Sequence, residues 1–130
     1  MGREGKILLV DDNEFVRNSA RRMLKRLGYD VEFVKDGAEG IRLYEGAKKD
    51  KQPFDVVIMD LTIPGGMGGK EAIKELQKID PRSKVIVSSR YSDDEVMSKF
   101  RKYGFSGILI KPYKIEEVDE AIRRVMKGAS

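Results

Sequence analysis

The stretch Val56-Val57-Ile58-Met59-Asp60 sets four apolar residues in an unbroken row and closes it with a carboxylate. A strand with one wet face alternates polar and apolar residues. A short continuous run reads instead as a parallel strand covered on both faces. Four more runs lie around it: Ile7 to Val10, Val31 to Val34, Val85 to Val87 and Ile108 to Ile110. Most are equally continuous. Val31-Glu32-Phe33-Val34 carries a charge inside the run and suits a sheet edge.

Helical patterns separate the runs. The first, Glu14 to Leu27, is expected to gather Phe15, Val16, Ala20, Met23, Leu24 and Leu27 on one stripe, with Gly28 capping its end. The second begins near Asp36, with Glu39 as capping partner, and fades around Ala47. A third carries Ala72, Ile73 and Leu76 and stops before Asp80-Pro81. Ser92-Asp93-Asp94-Glu95 reads as a capping box that opens a fourth helix bearing Val96 and Phe100. The last aligns Ile115, Val118, Ile122 and Val125. Lys48 to Gln52 reads as a polar loop, and Lys127 to Ser130 as a frayed tail. Five βα units in 130 residues give one open, doubly wound α/β sheet with helices on both faces, since the usual closed barrel needs eight. A single domain spanning residues 1–130 is expected.

Composition narrows the chemistry. With 40% apolar and 37% charged residues the chain is globular rather than disordered. It has no Cys, which excludes disulfides, thiolate catalysis and cysteine-built zinc sites. It has no His, the commonest general base and phosphoryl-relay nucleophile. Carboxylates, hydroxyls, Lys and Arg remain. The net charge of +4 permits an anionic partner without arguing for one. Met1-Gly2-Arg3-Glu4-Gly5 lacks the apolar core of a signal peptide, and no apolar run approaches a membrane span. A cytoplasmic protein with no membrane partner is expected.

Ligands of open α/β sheets bind outside the carboxyl ends of the strands. Asp11 and Asp12 follow the first run, Asp60 the third, Ser88 and Ser89 the fourth, and Lys111-Pro112 the fifth. Each has an ordinary reading on its own. The acidic pair can cap a helix, Asp60 can open the turn at Pro64-Gly65-Gly66, and the serines can be loop formers. Their convergence from four strands on one edge is what points to chemistry. Three clustered carboxylates repel one another unless a cation joins them. Hard oxygen ligands select Mg²⁺ or a similar ion. A carboxylate beside such an ion can attack phosphorus and form an acyl phosphate, with a lysine and a hydroxyl offsetting the charge of the group transferred.

At these residues the sequence resembles the response-regulator receiver domains of two-component signalling, over nearly the whole chain. Receivers carry an acidic pair after strand one (here Asp11 and Asp12), a phosphoacceptor aspartate after strand three (Asp60) with a Pro-Gly loop behind it (Pro64-Gly65), a Ser or Thr ending strand four, and a Lys-Pro pair ending strand five (Lys111-Pro112). The resemblance implies a flavodoxin-like sheet of strand order 2-1-3-4-5 with five helices. It implies that Asp12, Asp60 and the main-chain carbonyl of Thr62 hold Mg²⁺ directly, that Asp11 acts through a metal-bound water, and that Lys111 pairs with the phosphate. The family's spacing from the lysine selects Ser89 as the switch hydroxyl, with Ser88 as the alternative. The donor implied is a phosphohistidine of a histidine kinase or histidine phosphotransfer domain, and a phosphorylation-dependent dimer is left open. The stretch from Ser88 to Tyr113 is most similar to receivers attached to hybrid sensor kinases.

Two positions depart from the family. Arg90 follows Ser89 where a small residue normally admits phosphate, and Ile108 stands where many receivers carry an aromatic switch residue. Arg90 either clamps the phosphoryl group or obstructs the donor and pairs with Asp11 or Asp12; obstruction is the expectation. Rival readings are weaker. Gly65-Gly66-Met67-Gly68-Gly69-Lys70 has the look of a phosphate loop, but Pro64 replaces its first glycine and Glu71 its metal-binding hydroxyl. A Mg²⁺-dependent phosphatase with an aspartate nucleophile is the alternative, yet its Asp-x-Asp would need an aspartate where Asn13 stands. Arg17, Arg21 and Lys25 share a helical stripe, read first as a solvated face. No DNA-binding module is left for direct contact with nucleic acid.

Overall fold

The computed structural model describes residues 5–128. Its elements alternate throughout: β1 (Lys6–Val10), α1 (Glu14–Arg26), β2 (Asp30–Val34), α2 (Gly37–Lys49), β3 (Val56–Asp60), α3 (Gly69–Ile79), β4 (Val85–Ser89), α4 (Glu95–Ser98), β5 (Gly107–Ile110) and α5 (Ile115–Met126). All pairings are parallel, in the order β2-β1-β3-β4-β5. The charged run is an edge strand, as its Glu32 implied, and the unbroken run of β3 lies at the centre.

Strand alternation divides the apolar residues between two cores. Leu8, Val10, Val57, Met59, Val85 and Val87 pack against α2, α3 and α4. Ile7, Leu9, Val56, Ile58, Ile86 and Leu109 pack against α1 and α5 through Ala20, Leu24, Val118, Ile122 and Val125. Covering both faces is why the central strands carry no polar alternation.

The helix ends follow local chemistry. Asp36 caps α2 by accepting from the Glu39 N–H at 3.0 Å. Gly28, at φ 95°, closes α1 in the left-handed region, where Tyr29 N–H returns to the Leu24 carbonyl. Asn13 caps α1, its side chain accepting from Val16 N–H, so the alternative reading of the acidic pair as a cap does not hold. Three expectations need correction. Phe15 is 81% exposed, because at 100° per residue it stands about 180° from Leu24, whereas Arg17 falls on the buried side. The fourth helix is a single turn capped by Asp94, with no role for Ser92. Lys99 leaves the helical region there, and the chain continues in tight turns to Gly104. At the other end Lys127 and Gly128 form an ordered turn closing α5, while Ala129 and Ser130 lie outside the described residues.

Candidate functional site

The carboxyl edge of the sheet assembles the site through its own ladder. Asp60 ends β3 opposite Ser88, and Ser89 pairs with Ile110. The ladder runs one residue past the strands: Leu61 N–H donates to Ser88 carbonyl and Lys111 N–H to Ser89 carbonyl, both at 2.9 Å. Register alone therefore brings Asp60, the two serines and Lys111 to one edge.

Asp11, Asp12 and Asp60 meet there, each offering a carboxylate oxygen within 4.8 Å of the others. Asp11 is 1% and Asp60 7% exposed, while Asp12 faces solvent. The Lys111 ammonium bridges the two buried ones, 2.7 Å from Asp11 Oδ2 and 3.1 Å from Asp60 Oδ2. It donates a hydrogen bond to Asp60. Toward Asp11 Oδ2 it is close but off the hydrogen-bonding line, so that buried oxygen is left without a hydrogen bond. Burial, then the neighbouring Asp11 charge, push the Asp60 carboxyl above its usual range, against the pull of Lys111 and the Thr62 N–H. One ammonium thus bridges two of the three carboxylates and leaves Asp12 without a cationic partner among the described residues. A partly unsatisfied, all-oxygen donor set of this kind fits a hard divalent cation.

The remaining sequence-derived residues separate. Thr62 is exposed, its N–H donating to Asp60 Oδ1 at 3.4 Å. The adjacent serines make different bonds: Ser88 shares a hydrogen bond with the Tyr113 phenol, and Ser89 Oγ accepts from Tyr91 N–H at 3.1 Å. Arg90 is exposed and pairs with neither Asp11 nor Asp12, so the expected competition with a cation is not built into this conformation. Ile108 is half-buried against the α2–α4 core.

The glycine run after β3 has a packing explanation. A Cβ at Gly68 would lie 2.4 Å from the Leu61 carbonyl oxygen, and Gly37, across from it, donates to the Met67 carbonyl. The loop needs glycine for close backbone approach rather than to cradle a nucleotide. Sequence reasoning missed two residues of the site's surroundings, Tyr113 and Arg17. Arg17 is 9% exposed and donates from Nη1 to the Asp11 carbonyl oxygen at 2.8 Å.

Among the described residues no helix is long and apolar enough to cross a membrane. Comparison with known proteins agrees with the geometry. The family model for the response regulator receiver domain matches residues 7–123. The chemotaxis protein CheY of Thermotoga maritima is 34% identical over 123 residues, covering 94% of this chain and 98% of the relative. The structure of a LuxR-family two-component response regulator from Aurantimonas sp. SI85-9A1 superposes with a TM-score of 0.85 at 31% identity, over 98% of this chain and 88% of that one. The receiver domain of a Pseudomonas aeruginosa sensor histidine kinase, solved with magnesium coordinated in its active-site cleft, gives 0.82 at 27% identity, over 96% and 99%. With its sheet order, its edge of converging carboxylates and these likenesses in accord, the chain belongs to the response regulator receiver domains, the phosphoryl-accepting switches of two-component signalling.

Proposed function

We propose that Asp60 is the phosphoacceptor and that the chain acts as one receiver domain taking its phosphoryl group from a partner's phosphohistidine. The observation that carries this reading is the Asp60 carboxylate, buried at the point where Asp11, Asp12 and Lys111 converge. An Asp60 oxygen attacks phosphorus, the phosphorus–nitrogen bond breaks with its electron pair going to nitrogen, and the imidazole, protonated on its other ring nitrogen, leaves as neutral histidine. Water later attacks the acyl phosphate, releasing inorganic phosphate and restoring the carboxylate. The donor histidine belongs to another protein or domain, a histidine kinase or histidine phosphotransfer domain, because these 130 residues contain none.

Asp12, Asp60 and the Thr62 carbonyl would hold Mg²⁺, with Asp11 acting through water. When bound, the ion offsets negative charge on the carboxylates and the phosphoryl oxygens. Lys111 exchanges its bond to Asp60 for a charge-assisted one to the phosphoryl group. Ser89 supports the role of switch hydroxyl better than Ser88. It uses only a lone pair on Tyr91 N–H, so its proton is free for a phosphoryl oxygen, while Ser88 is engaged with Tyr113. The output face is α4, β5 and α5, where a groove of about 360 Å³ is lined by Phe100, Ile108, Ile110, Ala121 and Val125.

Mass spectrometry after incubation with acetyl phosphate and Mg²⁺ should show one added phosphoryl group. Asp60→Asn should abolish it, because an amide supplies no attacking carboxylate. An Asp60→Asn protein labelled as fully as the parent, at the same site, refutes the assignment. Sustained turnover of small phosphate esters would favour the phosphatase alternative instead.

A further inference from the structure

We propose that Arg17 is a positioning residue for the acidic pair, and that Phe33 on the edge strand is the platform that orients it. Asp11 is held at every main-chain polar atom: its N–H donates to Val34 carbonyl at 3.1 Å, and its carbonyl accepts from Arg17 Nη1 at 2.8 Å. Its Oδ1 accepts from Asn13 N–H at 2.9 Å, leaving Oδ2 aimed toward Lys111. The Arg17 bond is the one hydrogen bond among these made by a charged side chain, and it is buried. A surface stripe of basic residues has no reason to send a guanidinium inward to a main-chain oxygen.

Phe33 explains the direction it takes. The ring belongs to β2, opposite Leu9 of β1, and is 43% exposed, an odd place for a phenylalanine on a wet edge. The Arg17 and Arg21 guanidinium carbons lie 5.9 and 5.6 Å from its centroid. Two cations on one ring give the exposed aromatic an electrostatic task. The chain Phe33 to Arg17 to Asp11 carbonyl fixes the β1–α1 loop, and outer partners of this kind set how well a carboxylate receives a metal.

The inference rests on the cation site proposed above, and the sign of the effect separates it from simple electrostatics. Removing a positive charge beside three carboxylates should by Coulomb's law tighten cation binding. Loosening the loop should weaken it. Mn²⁺, a hard-oxygen substitute for Mg²⁺, is titrated into the full chain and its free fraction read by electron paramagnetic resonance. Arg17→Gln should weaken binding about tenfold, with Arg17→Lys recovering part of the loss. Phe33→Leu, which alters no charge and no hydrogen bond, should weaken it about two- to fivefold. Urea midpoints are measured alongside, and the exposed Phe33 site decides the matter should Arg17→Gln not fold.

Binding by both Arg17→Gln and Phe33→Leu as tight as the parent's, or tighter, overturns the proposal. Loss confined to Arg17→Gln overturns the part given to Phe33. A parent that binds no Mn²⁺, or an Asp12→Ala variant that binds as well as the parent, would instead sink the underlying metal-site reading.

Discussion

Asp60 carries a stability cost that belongs to one side chain. Its pKa is raised by burial first and by Asp11 second, so the charged form is the one the fold disfavours. The sign follows from linkage: with the folded pKa above the unfolded one, ionisation at neutral pH costs stability, which returns as pH falls through the folded value. Asp60→Asn should therefore raise the urea midpoint of the metal-free protein at neutral pH. The gain should shrink on acidification toward the ordinary carboxylate range. Lys111 keeps Asp11 as partner in that variant, 2.7 Å away, so no new unpaired charge arises. Arg90 marks the opposite case. Exposed and unpaired with the acids, it should barely influence the resting site, and Arg90→Gly should leave Mn²⁺ affinity within about twofold, since solvent screens such charges. A larger rise in affinity would show that the arginine reaches the carboxylates in solution.

Between elements, polar links at the far end of the sheet from the acids join α2 to the end of α3. The Tyr44 phenol donates to Asp80 Oδ2 at 2.7 Å, and Lys48 reaches both the Ile79 carbonyl and the Asp80 carboxylate. Burial opposes the Asp80 charge, but Tyr44, the Arg82 N–H, and the Lys48 and Arg82 charges together hold its carboxyl below the usual range. A depressed folded pKa contributes stability above the unfolded value, lost as pH falls through the folded one. Tyr44→Phe should cost about 1 kcal/mol at neutral pH, a charged hydrogen bond discounted for partial exposure. The two proteins should converge below about pH 4 in urea titrations. The elements themselves were largely legible in the sequence. Continuous runs marked the strands, Glu32 marked the edge, and Asp36 marked a cap. Phe15 and Arg17 run against residue type, because angle decides their faces: Arg17, seven residues before Leu24, shares its side of α1. The single turn of α4 was not legible, since Asp93 and Asp94 are equally good caps and the departure of Lys99 from helical geometry carries no sequence mark.

For the whole molecule, the acidic edge was legible because topology sends every strand's last residue to the same place. What the sequence could not show is how the two serines divide. Ser88 and Ser89 look interchangeable in the chain, and only neighbours from other elements, Tyr113 and Tyr91, distinguish them. Cation binding should also be felt globally. Mg²⁺ at tenfold its dissociation constant should stabilise the folded state by about 1.4 kcal/mol, read as a rise in melting temperature. Asp12→Ala should remove most of that rise while altering the metal-free midpoint little, because Asp12 is exposed and carries none of the buried contacts of Asp11. A melting temperature indifferent to Mg²⁺ in the parent would count against an assembled site.

The bridge from Lys111 to Asp11 and Asp60 ties the last strand to the first and the third. No hairpin exists in this sheet, and each pairing waits on a crossover. A chain folded only as far as residue 100 holds all three aspartates, yet lacks the ammonium that bridges Asp11 and Asp60. It also leaves β4 with an open edge. The bridge across the acidic edge is therefore completed only once β5 and the residue after it are in place.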